Sequence, residues 1–108
     1  MARYVSGLKE PTTIFEAAAY HRKIRVVCGD CGHAAVYDPH QLWWLFEQRG
    51  WVGIFPDAAK RFWCRACGAR LGRRVKRALI ELTETDPTIN LPFPQESAWK
   101  RAINRHRG

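Results

Sequence analysis

The sequence predicts a small α+β domain in which a helix lies between two cysteine pairs, with an amino-terminal arm and a carboxy-terminal basic helix. Three observations predict it: short alternating apolar runs, one helix with clear start and stop signals, and two copies of Cys-x-x-Cys-Gly. A chain of 108 residues fits one folded unit with tails. A core of this size gains stability from a disulfide or a bound metal ion.

The amino-terminal segments are predicted from local composition. Thr12-Thr13 precedes a run of good helix formers from Ile14 to Tyr20, which indicates a short helix or a packed arm. The run Lys23 to Val27 alternates and is rich in β-branched residues, so it predicts a strand that leads into the first cysteine pair. Residues 34–37 predict a returning strand.

The central helix carries the clearest signals in the chain. Asp38 can cap it, Pro39 suits its first position, and Gln41 lies where a capping box places Glu or Gln. Gly50 supplies a stop. These residues predict a helix from Pro39 to Arg49.

The remaining segments follow from weaker signals. They are an apolar strand or loop at residues 51–55, a short helical turn from Pro56 towards Phe62, a strand at residues 73–82, a Pro-containing linker, and a helix at residues 96–106. The predicted division is an arm at residues 1–22, a central domain at residues 23–83, and a linker with a basic tail helix at residues 84–108.

Two matched cysteine pairs are the strongest chemical signal. They are Cys28-Gly29-Asp30-Cys31-Gly32 and Cys64-Arg65-Ala66-Cys67-Gly68. A two-residue gap lets both sulfurs of a turn face one ion at about 2.3 Å, and two such turns complete the tetrahedral four-thiolate site of structural zinc. Gly32 and Gly68 are expected to adopt the positive φ that follows each pair. The 32 residues between the pairs exceed the roughly 15–20 of the simplest spacing, which indicates an inserted helix.

Other uses of the cysteines are less favoured. The segment Trp63 to Cys67 resembles the Trp-Cys-x-x-Cys of thioredoxin-like oxidoreductases, but that motif opens a long helix, and Gly68 and Gly72 interrupt any helix here. Disulfide or redox roles remain the alternatives to a metal site. His33 and His40 are not expected to be ligands because four cysteines already satisfy an ion. The sequence shows no residue pattern typical of a catalytic site, so we expect that the protein is not an enzyme.

Positive charge is concentrated after residue 58. The chain carries a formal charge of +8, and no acidic residue occurs between Ala58 and Ile80. Arginine suits phosphate, so a nucleic-acid partner is expected through Arg65, Arg70, Arg73, Arg74, Lys76 and Arg77. A second basic cluster lies on the predicted tail helix at Lys100, Arg101, Arg105 and Arg107.

Targeting signals are not apparent in the sequence. No apolar run approaches the roughly 18 residues of a membrane span, and the amino end lacks the regions of a signal peptide. We therefore expect a cytoplasmic protein without a membrane partner. In a reducing compartment, paired cysteines are more often metal ligands than disulfides.

The segments Val27 to His33 and Phe62 to Arg70, with Tyr37-Asp38-Pro39 between them, resemble the halves of small bacterial zinc-ribbon proteins. The likeness spans about residues 24–82 and implies one zinc ion on Cys28, Cys31, Cys64 and Cys67, with no catalytic residues. Zinc ribbons commonly serve transcription or nucleic-acid processing, and the fold also serves in protein docking.

Two functional hypotheses follow. The first is a structural-zinc protein that binds nucleic acid through its basic face. The second is a zinc-stabilised adaptor or homo-oligomer that uses the aromatic segment 43–55 or the arm from Pro92 to Trp99. Exposed aromatic residues would favour a protein partner, whereas buried aromatic residues beneath a basic face would favour nucleic acid.

Overall fold

The computed structural model describes residues 3–5, 8–73 and 76–107. The helices and strands are β1 (Arg3–Val5), β2 (Leu8–Glu10), α1 (Ile14–Ala19), β3 (Lys23–Cys28), β4 (Ala34–Tyr37), α2 (Pro39–Arg49), α3 (Phe55–Ala59), α4 (Arg65–Leu71), β5 (Ala78–Thr83) and α5 (Glu96–Arg107). This mixture of helices with a small antiparallel sheet confirms the α+β class.

A three-stranded antiparallel sheet in the order β4-β3-β5 forms the centre of the fold. The two outer strands flank the same positions of β3, so that Val26 pairs with Ala35 on one side and with Ile80 on the other. The alternation predicted for β3 is confirmed, because Ile24, Val26 and Cys28 are buried while the residues between them are partly exposed. Strands β1 and β2 form a separate hairpin.

Helix α2 has the bounds that its sequence predicts. The Asp38 carboxylate accepts hydrogen bonds from the backbone N–H groups of His40 and Gln41, at 2.9 and 3.1 Å. Gly50 ends the helix with a left-handed φ of 67°. The capping-box role expected of Gln41 is wrong, since its side chain is buried and accepts a hydrogen bond from the Leu91 N–H at 3.0 Å.

The apolar core lies between α1, α2, the sheet and α5. Its most deeply buried large side chains include Ile14, Ile24 and Leu42. Most aromatic side chains belong to this core, since Trp43 and Phe46 are buried and others pack around them. Helix α5 contributes the buried Ala102 to the same core. The predicted tail helix is therefore packed onto the fold.

Trp99 of α5 holds that helix against α1 and α2. Its ring centroid lies 5.4 Å from that of Phe15 and 5.0 Å from that of Trp43, the latter in an edge-to-face arrangement. Such aromatic pairs contribute about 0.5–1.5 kcal/mol beyond the area that they bury.

The division of the chain into an arm at residues 1–22, a central domain at residues 23–83 and a linker with a tail helix at residues 84–108 stays a prediction.

The strand predicted from Arg73 begins later, at Ala78. Helix α3 ends at Ala59, and hydrogen bonds between residues three apart continue its turn up to the Phe62 N–H, as the sequence predicts. Among the described residues, no helix is long and apolar enough to cross a membrane.

His40 lies where α2 meets α5. Its ring centroid is 4.8 Å from that of Trp99 and 5.4 Å from that of His21, and its Nδ1 is 3.9 Å from Asp38 Oδ1. Burial lowers the pKa of His40 below its usual 6.5; the Asp38 carboxylate opposes this shift and His21 adds to it. The folded chain therefore binds this proton less readily than the unfolded chain does.

This shift predicts a loss of stability in acid. The unfolded state gains the His40 proton first, so the free energy of unfolding should fall as the pH drops from 7.5 through the range just below 6.5. Urea unfolding at pH 7.5 and pH 5.5 should show a smaller fall for His40→Gln than for the natural chain. An equal fall in both proteins would contradict the prediction.

Candidate metal centre

The first cysteine pair lies in the turn between β3 and β4. Strand β3 ends at Cys28, whose backbone N–H donates to the His33 carbonyl at 2.9 Å and whose carbonyl accepts from the Gly32 N–H at 2.9 Å. Gly32 has a φ of 76°, as its sequence position predicts. The His33 N–H points at Cys31 Sγ, 3.5 Å away. The turn therefore directs both sulfurs to one side.

The second pair begins helix α4, which the sequence analysis missed. Cys64 is the N-cap, and its Sγ accepts a hydrogen bond from the Cys67 N–H at 3.4 Å. Ser, Thr, Asp and Asn are the usual cap residues, so a cysteine at this position gives little signal in the sequence. Helix α4 runs for seven residues and ends at Gly72, where φ is 69°.

The positive φ expected at Gly68 is wrong, because Gly68 lies inside α4. Close packing around this position favours a residue without a side chain. A Cβ atom at this position would lie 3.3 Å from Cζ3 of Trp63 and 3.5 Å from the Arg73 carbonyl oxygen. The absence of a side chain at Gly68 thus lets the Trp63 ring pack against the helix beside the second cysteine pair.

The four sulfurs converge on one point. All four Sγ atoms lie within 4.8 Å of one another, with Cys28 to Cys67 at 3.7 Å and Cys31 to Cys64 at 3.5 Å. A tetrahedral metal with bonds of about 2.3 Å to sulfur separates its ligands by about 3.8 Å. The two distances of 3.7 and 3.5 Å lie close to this value, no pair of sulfurs exceeds 4.8 Å, and all four cysteines are free of disulfides. The residues therefore fit one tetrahedral metal ion.

The thiols differ in how readily they ionise. Hydrogen bonds from the backbone N–H groups of Cys31 and Asp30 lower the pKa of Cys28 to about 7. Burial raises the pKa of Cys67 to about 12. Cys67 is fully buried, so its thiolate needs a nearby cation, and a metal ion at the centre would supply that charge.

Contacts around the sulfurs fix the two turns in place. Arg70 donates from Nη2 to Cys67 Sγ at 3.6 Å. The Gly29 N–H donates to the Arg77 carbonyl at 2.8 Å, and Arg77 Nη1 lies 3.5 Å from Asp30 Oδ1. The chain entering β5 is therefore tied to the first cysteine turn.

Several of the basic residues predicted to contact nucleic acid lie next to this centre. Arg65 and Arg70 lie on α4, Arg73 follows its cap, and Arg77 contacts the first turn. Those residues of the set that the structure describes are exposed, namely Arg65, Arg70, Arg73, Lys76 and Arg77. Arg74 lies outside the described residues.

Neither candidate histidine joins the metal cluster in the described part of the chain. The grouping of potential ligands there contains the four cysteines alone. His33 is exposed next to Cys31, and His40 lies at the α2–α5 contact.

The fold and the centre together define a small α+β protein with a four-cysteine site arranged for one metal ion. No family model, curated protein or solved structure matches the chain.

Arg70 provides a test of the outer contacts of the centre. Arg70→Met keeps the length of the aliphatic part of the side chain but removes the N–H group that donates to Cys67. The affinity for Zn²⁺ should therefore fall by about 10- to 100-fold, as it does when other groups that hydrogen-bond to metal ligands are removed. Competition with a chromophoric chelator measures this change. Arg73→Met is the matched control, since Arg73 makes no thiolate contact among the described residues. Equal affinities in the two variants would show that the Arg70 contact has no role.

Proposed function

We propose that this chain is a zinc-ribbon-like protein that holds one structural zinc ion and binds nucleic acid through the basic face around it. The convergence of four Sγ atoms within 4.8 Å is the observation that supports the metal part. Four thiolates fill a tetrahedral coordination sphere and leave no position for substrate, which favours a structural role over catalysis.

The position of the four cysteines supports a structural role further. The centre joins the β3–β4 turn to the start of α4, and the buried cysteines form a cluster apart from the main core. Helix α4 is short and contributes one buried side chain, that of Cys67. A short helix with so little buried surface depends on the metal for its position.

Zinc is therefore predicted to determine the stability of the chain. Purified protein should contain about one zinc per chain by elemental analysis. A strong chelator under reducing conditions should abolish the near-UV circular dichroism, and added Zn²⁺ should restore it. Cys64→Ser should reproduce the loss, whereas Ser97→Ala on the exposed side of α5 should leave zinc content unchanged. Metal-free protein with an unaltered melting temperature would contradict a structural role.

Charge and burial support the nucleic-acid part. The basic residues around the centre are exposed, while Trp43 and Phe46 of the aromatic segment are 6% and 3% exposed. Burial of these two rings removes surface that the adaptor hypothesis needs, and the exposed basic residues supply the charge that a nucleic-acid partner needs. The adaptor hypothesis keeps support from Val52 and Ile54 of the segment 43–55, which are 53% and 47% exposed, and from Phe93 of the predicted docking arm, which is 65% exposed.

The basic face is tested by a charge-matched pair of variants. The first replaces Arg73, Lys76 and Arg77 by alanine, and the second replaces Lys100, Arg101 and Arg105 on α5. Zinc-loaded proteins are titrated against labelled duplex DNA, single-stranded DNA and structured RNA at 50 and 200 mM salt. Binding should weaken as salt is raised. The first variant should lose more affinity than the second, and its affinity should also depend less on salt. The reason is that each phosphate contact adds about 0.9 to the steepness of the plot of log affinity against log salt concentration for a duplex.

The outcomes separate the two hypotheses. Equal losses in the two variants would mean that net charge alone drives binding and that the basic face is not the site. Absence of binding to all three nucleic acids at low salt would contradict the nucleic-acid proposal. Light scattering of the natural chain and of Phe93→Ser would then test whether the exposed Phe93 mediates self-association.

A further inference from the structure

A cavity that the sequence does not reveal opens beside the metal centre. Its volume is about 130 Å³, and it lies between β3, β4 and the segment that leads into α4. Aromatic rings of Tyr37, Phe62 and Trp63 form much of its lining, with Ala35 and Ala78 contributed by the outer strands of the sheet. Pockets for drug-sized ligands begin at about 300 Å³, so this cavity suits one small planar group.

The aromatic lining is held in place by its own contacts. The ring centroids of Tyr37 and Phe62 are 5.5 Å apart. The Trp63 ring packs close to Gly68 of α4 and remains 40% exposed. Rigid rings with accessible surface provide stacking partners for a planar ligand.

Polar groups at the cavity indicate the chemistry of its ligand. Arg65 lines it and places its guanidinium carbon 6.0 Å from the centroid of the Trp63 ring. Tyr37 also lines the cavity, and its hydroxyl is protonated near neutral pH, so it can both donate and accept a hydrogen bond. A planar group with hydrogen-bonding edges and an attached anion therefore complements the site.

We propose that this cavity is a subsite for one unpaired nucleobase of a single-stranded nucleic acid, which stacks on the aromatic lining while Arg65 contacts the adjacent phosphate. The inference rests on the proposed nucleic-acid function and specifies the form of its ligand. A paired base inside a duplex is stacked on its neighbours and cannot enter a recessed cavity, so the subsite requires an unpaired base.

The surrounding charge favours a strand over a neutral ring compound. Exposed Arg73 and Lys76 follow α4 along the chain, and Arg70 lies on α4 itself. Arg65 lines the cavity itself, and Arg70 contacts Cys67 of the neighbouring metal centre, so a base in the cavity would have cationic side chains available for its adjacent phosphates. Stacking of a base with tracking of the backbone by cations is the general mode of single-strand binding.

The test fills the cavity without altering charge. Ala35→Leu places a larger side chain into it from β4, and Ala34→Leu is the matched control on the other face of the same strand. Ala78→Leu fills the same cavity from β5 if Ala35→Leu does not fold. Zinc content and melting temperature of each variant are measured first. Fluorescence anisotropy then compares a labelled ten-nucleotide single strand, a duplex of the same length and a mononucleotide.

Loss of one stacked base should weaken single-strand binding of the filled variant by about 5- to 150-fold, with duplex binding and the Ala34→Leu control unchanged. If single-strand binding by Ala35→Leu and Ala34→Leu is equal, the subsite is wrong while the proposed function stands. A mononucleotide bound as tightly as the single strand would overturn the assignment to a strand. Failure of the natural chain to bind any nucleic acid would overturn the proposed function and the subsite with it.

Discussion

The convergence of four sulfurs is the constraint on which the rest of this fold depends. It joins a hairpin turn to a helix more than thirty residues further along the chain. The buried members of the cluster lie apart from the main apolar core. The sulfur cluster therefore joins the end of the sheet that carries Cys28 to α4, and the hydrogen bond from the Gly29 N–H to the Arg77 carbonyl ties the chain that enters β5 to the same junction. A metal ion bound by the four sulfurs would hold the two turns together.

Strand β3 contributes residues both to the apolar core and to the metal centre, so one strand register positions both. Ile24 and Val26 face the core, and Cys28 follows them on the same buried face. Because side chains alternate along a strand, a shift of β3 by one residue would turn all three away from the interior. Apolar burial and sulfur convergence thus select the same pairing of β3 with β4 and β5. Such agreement between independent constraints is what specifies one structure in a small domain.

Sequence reasoning succeeded where the determinants are local. The bounds of helix α2 are set by Asp38, Pro39 and Gly50, all within one or two residues of its ends. The two-residue spacing within each cysteine pair is likewise enough to place both sulfurs on one side of a turn. Sequence reasoning failed where side-chain packing decides. Gly68 packs closely against the ring of Trp63 inside α4 and has no positive φ, and the Gln41 side chain accepts a hydrogen bond from Leu91, fifty positions away. The aromatic cavity forms only when β4 meets the segment before α4, so no local pattern predicts it.

The charge around the centre has two different uses. A divalent ion bound by four thiolates would carry a net charge of about −2, so nearby cations would stabilise such a centre. Arg70 donates to Cys67, and Arg77 pairs with Asp30, which commits part of their charge to the fold. Arg73 and Lys76 make no ion pair with any described residue. If nucleic acid binds as proposed, fewer cations of this face are therefore available for phosphate than the formal charge of +8 suggests.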